Sequence, residues 1–133
     1  MALVQWNEAK YSVHEERIDT QHETLFELIN RLHDSMKEGR SKESIPPTLD
    51  ALVAYTKQHF GYEEGYMKRV GYPNLEQHRA QHQEFVHTVE SFISDYNSGK
   101  VGLTFQIINY LKDWLVSHIL KTDKQYDEFV AQK

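Results

Sequence analysis

Apolar residues recur along this chain at steps of three and four, the period of a helix that buries one face. The first stripe runs Ile18, His22, Leu25, Ile29, Leu32 and Met36, and the second Leu49, Leu52, Thr56, His59, Glu63 and Met67. The third is Leu75, His78, His82, Phe85, Val89, Phe92 and Tyr96, and the fourth Ile108, Leu111, Leu115 and His118. Glycine and proline punctuate these stripes. Gly39 closes the first segment and Ile45-Pro46-Pro47 opens the second. Gly71-Tyr72-Pro73 divides second from third, and Ser98-Gly99-Lys100 with Gly102 divides third from fourth. Glycine just past one helix and proline at the start of the next is the expected asymmetry. Asn74 with Gln77 three residues later predicts an N-cap and a partial capping box. Strand-like alternation, internal repeats and low-complexity tracts are missing from the pattern. Short links between long helices favour antiparallel neighbours. The expectation is therefore an all-α chain, an up-down-up-down antiparallel four-helix bundle forming one domain over residues 1–133. An N-terminal arm carrying Trp6 and Tyr11 should pack over one end, and residues 124–131, with Tyr126, Phe129 and Val130, should form a short closing helix.

The stripes contain residues that a core should refuse. His22, His59, His78, His82 and His118 all take inward positions, and so does Glu63. A lone inward histidine is usually a hydrogen-bonded packing residue, but five on four facing stripes need a common cause. An ionised carboxylate buried without a partner costs several kcal/mol or protonates instead. Spacing names the cause. His59 and Glu63 are four apart on one helix face, as are His78 and His82, so each pair converges on a point, as metal ligands do. Asp123 lies five residues after His118, off-face for a regular helix. It can join only where the helix loosens, through a wide turn or at its C-terminal end.

Composition narrows the metal chemistry. The chain has no cysteine, which excludes disulfides, iron–sulfur clusters and thiolate sites and leaves nitrogen and oxygen donors. Five imidazoles and two carboxylates exceed the four ligands of one tetrahedral zinc. If both carboxylates bridge two octahedral metals that also share one oxygen-derived bridge, eleven of twelve positions are filled. The vacancy would admit a small diatomic ligand. At 133 residues the chain suits one compact domain, and its net charge of −5 argues against nucleic acid or an anionic membrane as main partner. Residues 1–10 lack a basic start followed by an apolar run, and no stretch approaches membrane-spanning length, so a cytoplasmic protein is expected.

The run Asp19-Thr20-Gln21-His22, then His59-Phe60 with Glu63-Glu64, then His78-Arg79-Ala80-Gln81-His82, then His118-Ile119 with Asp123, resembles the hemerythrin family, and its single-domain bacterial members, the bacteriohemerythrins, above all. The resemblance spans essentially the whole chain and covers all seven ligand positions. It implies reversible O2 binding, for carriage, storage or delivery, at a non-haem di-iron centre. Its cofactors would be two iron ions (Fe2+/Fe3+) with an oxo or hydroxo bridge. It implies further that His78, His82 and His118 saturate one iron, that His22 and His59 hold the other with its open position, and that Glu63 and Asp123 bridge. Leu25, Phe60, Trp114, Leu115 and Ile119 match the family's apolar O2 pocket. Asp19, Gln21 and Tyr126 are candidates to hold the free ring nitrogens of the ligands.

Other polar residues fall outside this pattern. His14 and His33 are expected to face solvent, His87 to sit off the ligand line, and Glu64 to be a solvated charge. Glu84-Phe85-Val86-His87 is a Glu-x-x-His sequence, but ferritin-like di-iron oxidases use two such motifs and this chain has one. The leading expectation is an O2-binding protein and not an enzyme, a monomer, with an oxygen-consuming protein as its possible partner. The competing readings are an oxygen or redox sensor, which would need a separate signalling partner, and a di-iron oxidase or a peroxide- or nitric-oxide-reactive enzyme, which would need a substrate channel or proton donor. Iron storage fits poorly with a closed ligand set.

Overall fold

The computed structural model describes residues 4–37, 41–98 and 103–132. Four long helices follow a one-turn helix: α1 (Glu8–Tyr11), α2 (Glu16–Lys37), α3 (Ser41–Val70), α4 (Leu75–Asn97) and α5 (Leu103–Ser117). The chain continues without a break through a π-helical turn, His118–Asp123, into α6 (Lys124–Ala131). The long helices pack α2 on α3, α3 on α4, α4 on α5 and α5 on α2, which closes the ring of a four-helix bundle. Among the described residues there is no strand, and no helix is long and apolar enough to cross a membrane.

The core is two apolar clusters with a polar layer between them. One holds Leu25, Leu52, Phe60, Phe85, Leu111, Leu115 and their neighbours; the other holds Val13, Ile18, Met67, Tyr72 and Tyr126. Along α2 the order is Ile18, His22, Leu25, and along α3 it reverses to Phe60, Glu63, Met67. It reverses again from Tyr72 through His78 and His82 to Phe85, and once more from Leu115 through His118 and Asp123 to Tyr126. That alternation is the up-down-up-down topology, written in which cluster each helix meets first.

Two helix ends differ from the sequence pattern. Helix α3 starts at Ser41, so Pro46 and Pro47 lie inside it and not at its opening. Neither has an N–H, and α3 forgoes those two backbone bonds. Asn74 is the N-cap of α4, but its side chain makes no capping hydrogen bond; its carbonyl accepts from His78 N at 3.1 Å. Gly71 performs as expected, with φ 75° at the end of α3. Gly71 N donates to Lys68 O and Tyr72 N to Met67 O, and Tyr72 and Met67 share a cluster, which is a Schellman stop. Gly39, Gly99, Lys100 and Gly102, expected as breaks, lie outside the described residues.

The arm is tied along α2. Val4 N donates to Asn30 Oδ1 and Asn30 Nδ2 returns a bond to Val4 O, at 3.0 and 2.8 Å. Trp6, Tyr11 and Phe26 form a mutual aromatic trio with centroids 5.1 to 5.7 Å apart. Asp19 serves this arm and not a histidine: its two oxygens accept from Ser12 Oγ and Val13 N.

Candidate metal centre

All seven expected ligands come together in the polar layer, and all are buried, with Glu63 and Asp123 at 0% exposure. Helix α2 supplies His22, α3 supplies His59 and Glu63, α4 supplies His78 and His82, and the π turn supplies His118 and Asp123. The π turn settles the five-residue step. Its i to i+5 bonding widens the helix locally and brings both His118 and Asp123 into the buried layer.

The carboxylates span two halves of the cluster. Glu63 Oε1 lies 3.1 Å from His78 Nε2 and 3.0 Å from His82 Nε2, while Oε2 lies 3.5 and 3.6 Å from the Nε2 atoms of His22 and His59. Asp123 Oδ1 lies 2.9 and 3.0 Å from His78 and His118 Nε2, and Oδ2 lies 3.1 Å from His22 Nε2. Two donor groups result. One joins Glu63, His78, His82, His118 and Asp123, the other His22, His59 and Glu63.

The geometry fits metal ions better than it fits protons. His118 Nε2 sits 3.0 Å from His78 Nε2 and 3.2 Å from His82 Nε2. Three imidazoles aiming the same nitrogen at one point repel unless a cation lies between them. Such spacings suit adjacent corners of an octahedron about 2.2 Å from its centre, close to an ordinary metal–imidazole bond. Both Asp123 oxygens are buried without a hydrogen bond, although three ring nitrogens stand within ion-pair distance. Their missing partner is the kind a cation supplies.

Electrostatics agree. Burial opposes ionisation of Glu63, but His22, His78 and His82 overcome it and hold its carboxyl well below the usual range. Burial and the Glu63 charge raise Asp123, and the imidazoles of His118 and His22 outweigh them, again downward. Both carboxylates are therefore anionic in a dry core. Burial lowers His22 and His78, yet the paired carboxylates lift each to about 9. His59 is lowered to about 3 by burial that Glu63 offsets only in part. Two negative charges cannot satisfy five imidazoles, so the cluster splits into charged and neutral rings. A pair of divalent ions would satisfy all of them at once.

Around the ligands, outer groups fix ring orientation. His59 Nδ1 meets Gln21 Oε1 at 2.6 Å, as the sequence suggested. Tyr126 holds a carboxylate and not a ring: its hydroxyl donates to Glu63 Oε2 at 2.8 Å. Two partners escaped the sequence reading. Glu64 is no free solvated charge, because its Oε2 lies 2.8 Å from His82 Nδ1 and Oε1 accepts from Arg79 Nε at 3.1 Å. Gln81 Oε1 lies 3.1 Å from His118 Nδ1. The signal was available in part, since residues one step from a ligand flank it at the rim of the same interface. His33 also departs from expectation: it is half-buried, with an Nδ1 atom that has no partner. His14 is exposed but bonded to Asp127, and His87 is exposed.

Beside the cluster lies a small apolar cavity of about 10 Å³, lined by Leu25, Leu52, Thr56, Phe60, Trp114 and Leu115 among others. The Thr56 hydroxyl is spent on Leu52 O at 2.6 Å, leaving its methyl to the cavity. Four of the five expected pocket residues line this space. Ile119 does not, although it is fully buried in the same cluster. Phe60 stacks on His82 at 3.7 Å and Trp114 on His118 at 4.3 Å, so aromatic walls cover two ligands.

The sequence and fold both have known relatives. Residues 13–129 match the Hemerythrin HHE cation binding domain. A bacteriohemerythrin of Methylococcus capsulatus is 35% identical over 126 residues, covering 95% of each chain. A myohemerythrin of Theromyzon tessulatum is 34% identical over 122 residues, covering 92% of this chain and 89% of that protein. The crystal structure of wild-type hemerythrin superposes with a TM-score of 0.87 at 34% identity, covering 96% of this chain and 97% of the other. The chain belongs to the hemerythrin family.

Proposed function

We propose that this chain binds O2 reversibly at a pair of iron ions, as an oxygen-binding protein and not an enzyme, with residues 1–133 as one domain. His78, His82 and His118 would hold one ion, His22 and His59 the other, and Glu63 and Asp123 would bridge them. The observation that carries the reading is the lopsided donor set: three imidazoles converge on one half and two on the other, beside an apolar cavity. A reduced iron pair held there would supply the electrons that reversible O2 binding draws on.

The chain's own residues do the rest. Glu63 and Asp123 offset the ions' charge inside the core, and Tyr126 holds Glu63 in place by its hydroxyl. Gln21, Glu64 and Gln81 fix the rings of His59, His82 and His118 and keep each Nδ1 engaged, which directs Nε2 inward. Leu25 lies one turn from His22 and Thr56 one turn from His59, while Phe60 and Trp114 lie against His82 and His118, so the cavity borders both halves of the centre. Leu25, Phe60, Trp114, Leu115 and Ile119 exclude water, whose entry would favour irreversible oxidation.

The test is a cycle. The purified protein is reduced without oxygen, then exposed to O2 and purged while its visible spectrum is recorded. An absorption band that forms with O2 and fades on its removal, over repeated cycles, supports reversible binding. Rapid one-way conversion to the diferric form, with peroxide released or a co-substrate oxidised, overturns it in favour of an enzyme. A colourless protein holding one zinc ion overturns the centre itself.

A further inference from the structure

The indole of Trp114 lies between the centre and solvent. Its ring stacks on that of His118, with centroids 4.3 Å apart and an interplanar angle of 12°. It lines the apolar cavity on one side. On the other, with Tyr110, Asp113 and His118, it lines an open pocket of about 410 Å³ between α4 and α5. We propose that Trp114 is a redox relay, carrying an oxidising equivalent from the centre to solvent when peroxide is reduced there; the inference rests on the metal reading above.

Few side chains near the centre can give up an electron. Cysteine and methionine are the usual targets of oxidation. The chain has no cysteine, and Met67 lies in the apolar cluster on the far side of the ligand layer. Met36 packs about four helical turns of α2 beyond His22. Two aromatic rings stack on ligands of the same half. Phe60 is the closer, 3.7 Å from His82 and parallel to within 1°, but it is buried and a benzene ring resists one-electron oxidation. Indole is the most easily oxidised aromatic side chain, and Trp114 is only half-buried. Tyr126, the other oxidisable ring at the centre, is 0% exposed and has no direct exit. A phenol must also shed its proton as it is oxidised, whereas an indole loses the electron first. Asp113, an exposed carboxylate on the same pocket, favours a positive charge there.

Reduction of hydrogen peroxide takes two electrons. When one iron of the pair is already ferric, the other gives one electron, and Trp114 gives the second through the His118 ring. The O–O bond breaks and the indole, now a radical cation, passes its N–H proton to solvent. The products are one hydroxide, one water, a ferric ion and a neutral indolyl radical. A small thiol in solution returns a hydrogen atom to the indole nitrogen and becomes a thiyl radical. Without thiol, O2 adds to the ring and marks the residue with oxygen.

The test takes diferric protein with its two irons verified, reduces it by one electron and adds one equivalent of hydrogen peroxide. A hydroxyl-radical scavenger is present and thiol is absent. One portion is frozen for electron paramagnetic resonance; the other is exposed to air and mapped by peptide mass spectrometry. An indolyl signal is expected, followed by oxygen added at Trp114. Trp6, also half-buried and packed on Tyr11 and Phe26, is the internal reference and should be spared, as should Phe60. Trp114→Phe and zinc-loaded wild type should each lose both the signal and the product. Equal oxidation of Trp114 and Trp6, oxygen on Phe60, or the same product with zinc marks a diffusing radical and overturns the relay. A tyrosyl signal, no signal from two-iron protein, or an indolyl signal that persists in Trp114→Phe overturns it too, and leaves the metal reading standing. Failure to take up iron overturns the metal reading, and the relay with it.

Discussion

Replacing Tyr126 with phenylalanine removes one oxygen from the centre of the molecule and little else. Tyr126 and Glu63 are each 0% exposed and joined by a 2.8 Å bond in which a hydroxyl donates to an anionic carboxylate. Bonds of that kind contribute about 1.5–3 kcal/mol, toward the upper end where water cannot substitute. The ring stays, so no cavity of consequence opens. Burial and the Glu63 and Asp123 charges hold the Tyr126 hydroxyl well above its usual pKa, so it donates throughout the working pH range. Tyr126→Phe should therefore lower unfolding free energy by about 2 kcal/mol, or roughly 6 °C in Tm for a domain of this size. It should also weaken metal binding about tenfold, because Glu63 loses the group that orients it. The assay is thermal unfolding of metal-free and metal-loaded protein, with metal affinity by competition against a chelator. Tyr66→Phe is the control: its ring lies 5.7 Å from that of Tyr126 but holds no ligand, so it should change stability by no more than about 0.5 kcal/mol. If Tyr126→Phe behaves as Tyr66→Phe does, the hydroxyl does not organise the centre and the reasoning fails.

The remaining expectations test other parts of the site. Leu115→Thr and Ile119→Thr should each hasten air oxidation of the ferrous protein with metal content unchanged; unaltered oxidation in both would mean the apolar wall is misassigned. His78→Ala or Glu63→Ala should abolish normal metal content and cost about 3–5 kcal/mol, since the charges left behind lose their partners, as denaturant unfolding with metal analysis would show. Glu64→Ala should leave the fold intact and weaken metal binding about tenfold, because His82 Nδ1 loses its anchor. Metal-free protein should lose stability as pH rises. His22 and His78 are raised from 6.5 to about 9, so their contribution is complete below pH 6.5 and gone above about 9. A denaturant series across that window should show a fall of about 3 kcal/mol for each of the two rings, absent when metal occupies the same nitrogens; a rise would contradict the charge pattern.

The bundle was legible because its signal is periodic and long. Every residue of the second stripe, Leu49 to Met67, is buried, and so is every residue of the fourth. The seven residues proposed as ligands stood out for the opposite reason: they are polar residues in apolar positions, which only a shared partner makes tolerable. Helix ends were less so, since Pro46 and Pro47 read as a start while α3 extends back to Ser41. Outer-sphere contacts were the least accessible. Glu64 meets His82 across an interhelical gap, and one sequence gives the phase of each helix but not its rotation against a neighbour. For the same reason Tyr126 was rightly placed near the centre but given the wrong partner, while Asp19 turns to the N-terminal arm instead.

The π turn shows how a departure from regularity carries function. In an unbroken helix the residue below His118 on its face would be Thr122, and Asp123 would point about 140° around the axis from His118. A π turn costs backbone bonding, and such turns gather at functional sites because something there offsets the cost. Here the gain is Asp123, whose two oxygens reach His78 and His118 on one side and His22 on the other. No other residue of the π turn stands among the grouped donors after His118. Without the extra residue the turn would present a hydroxyl where the two halves need an anion, and the halves would share only Glu63. The widened turn is thus what converts two adjacent donor groups into one centre able to hold a pair of ions.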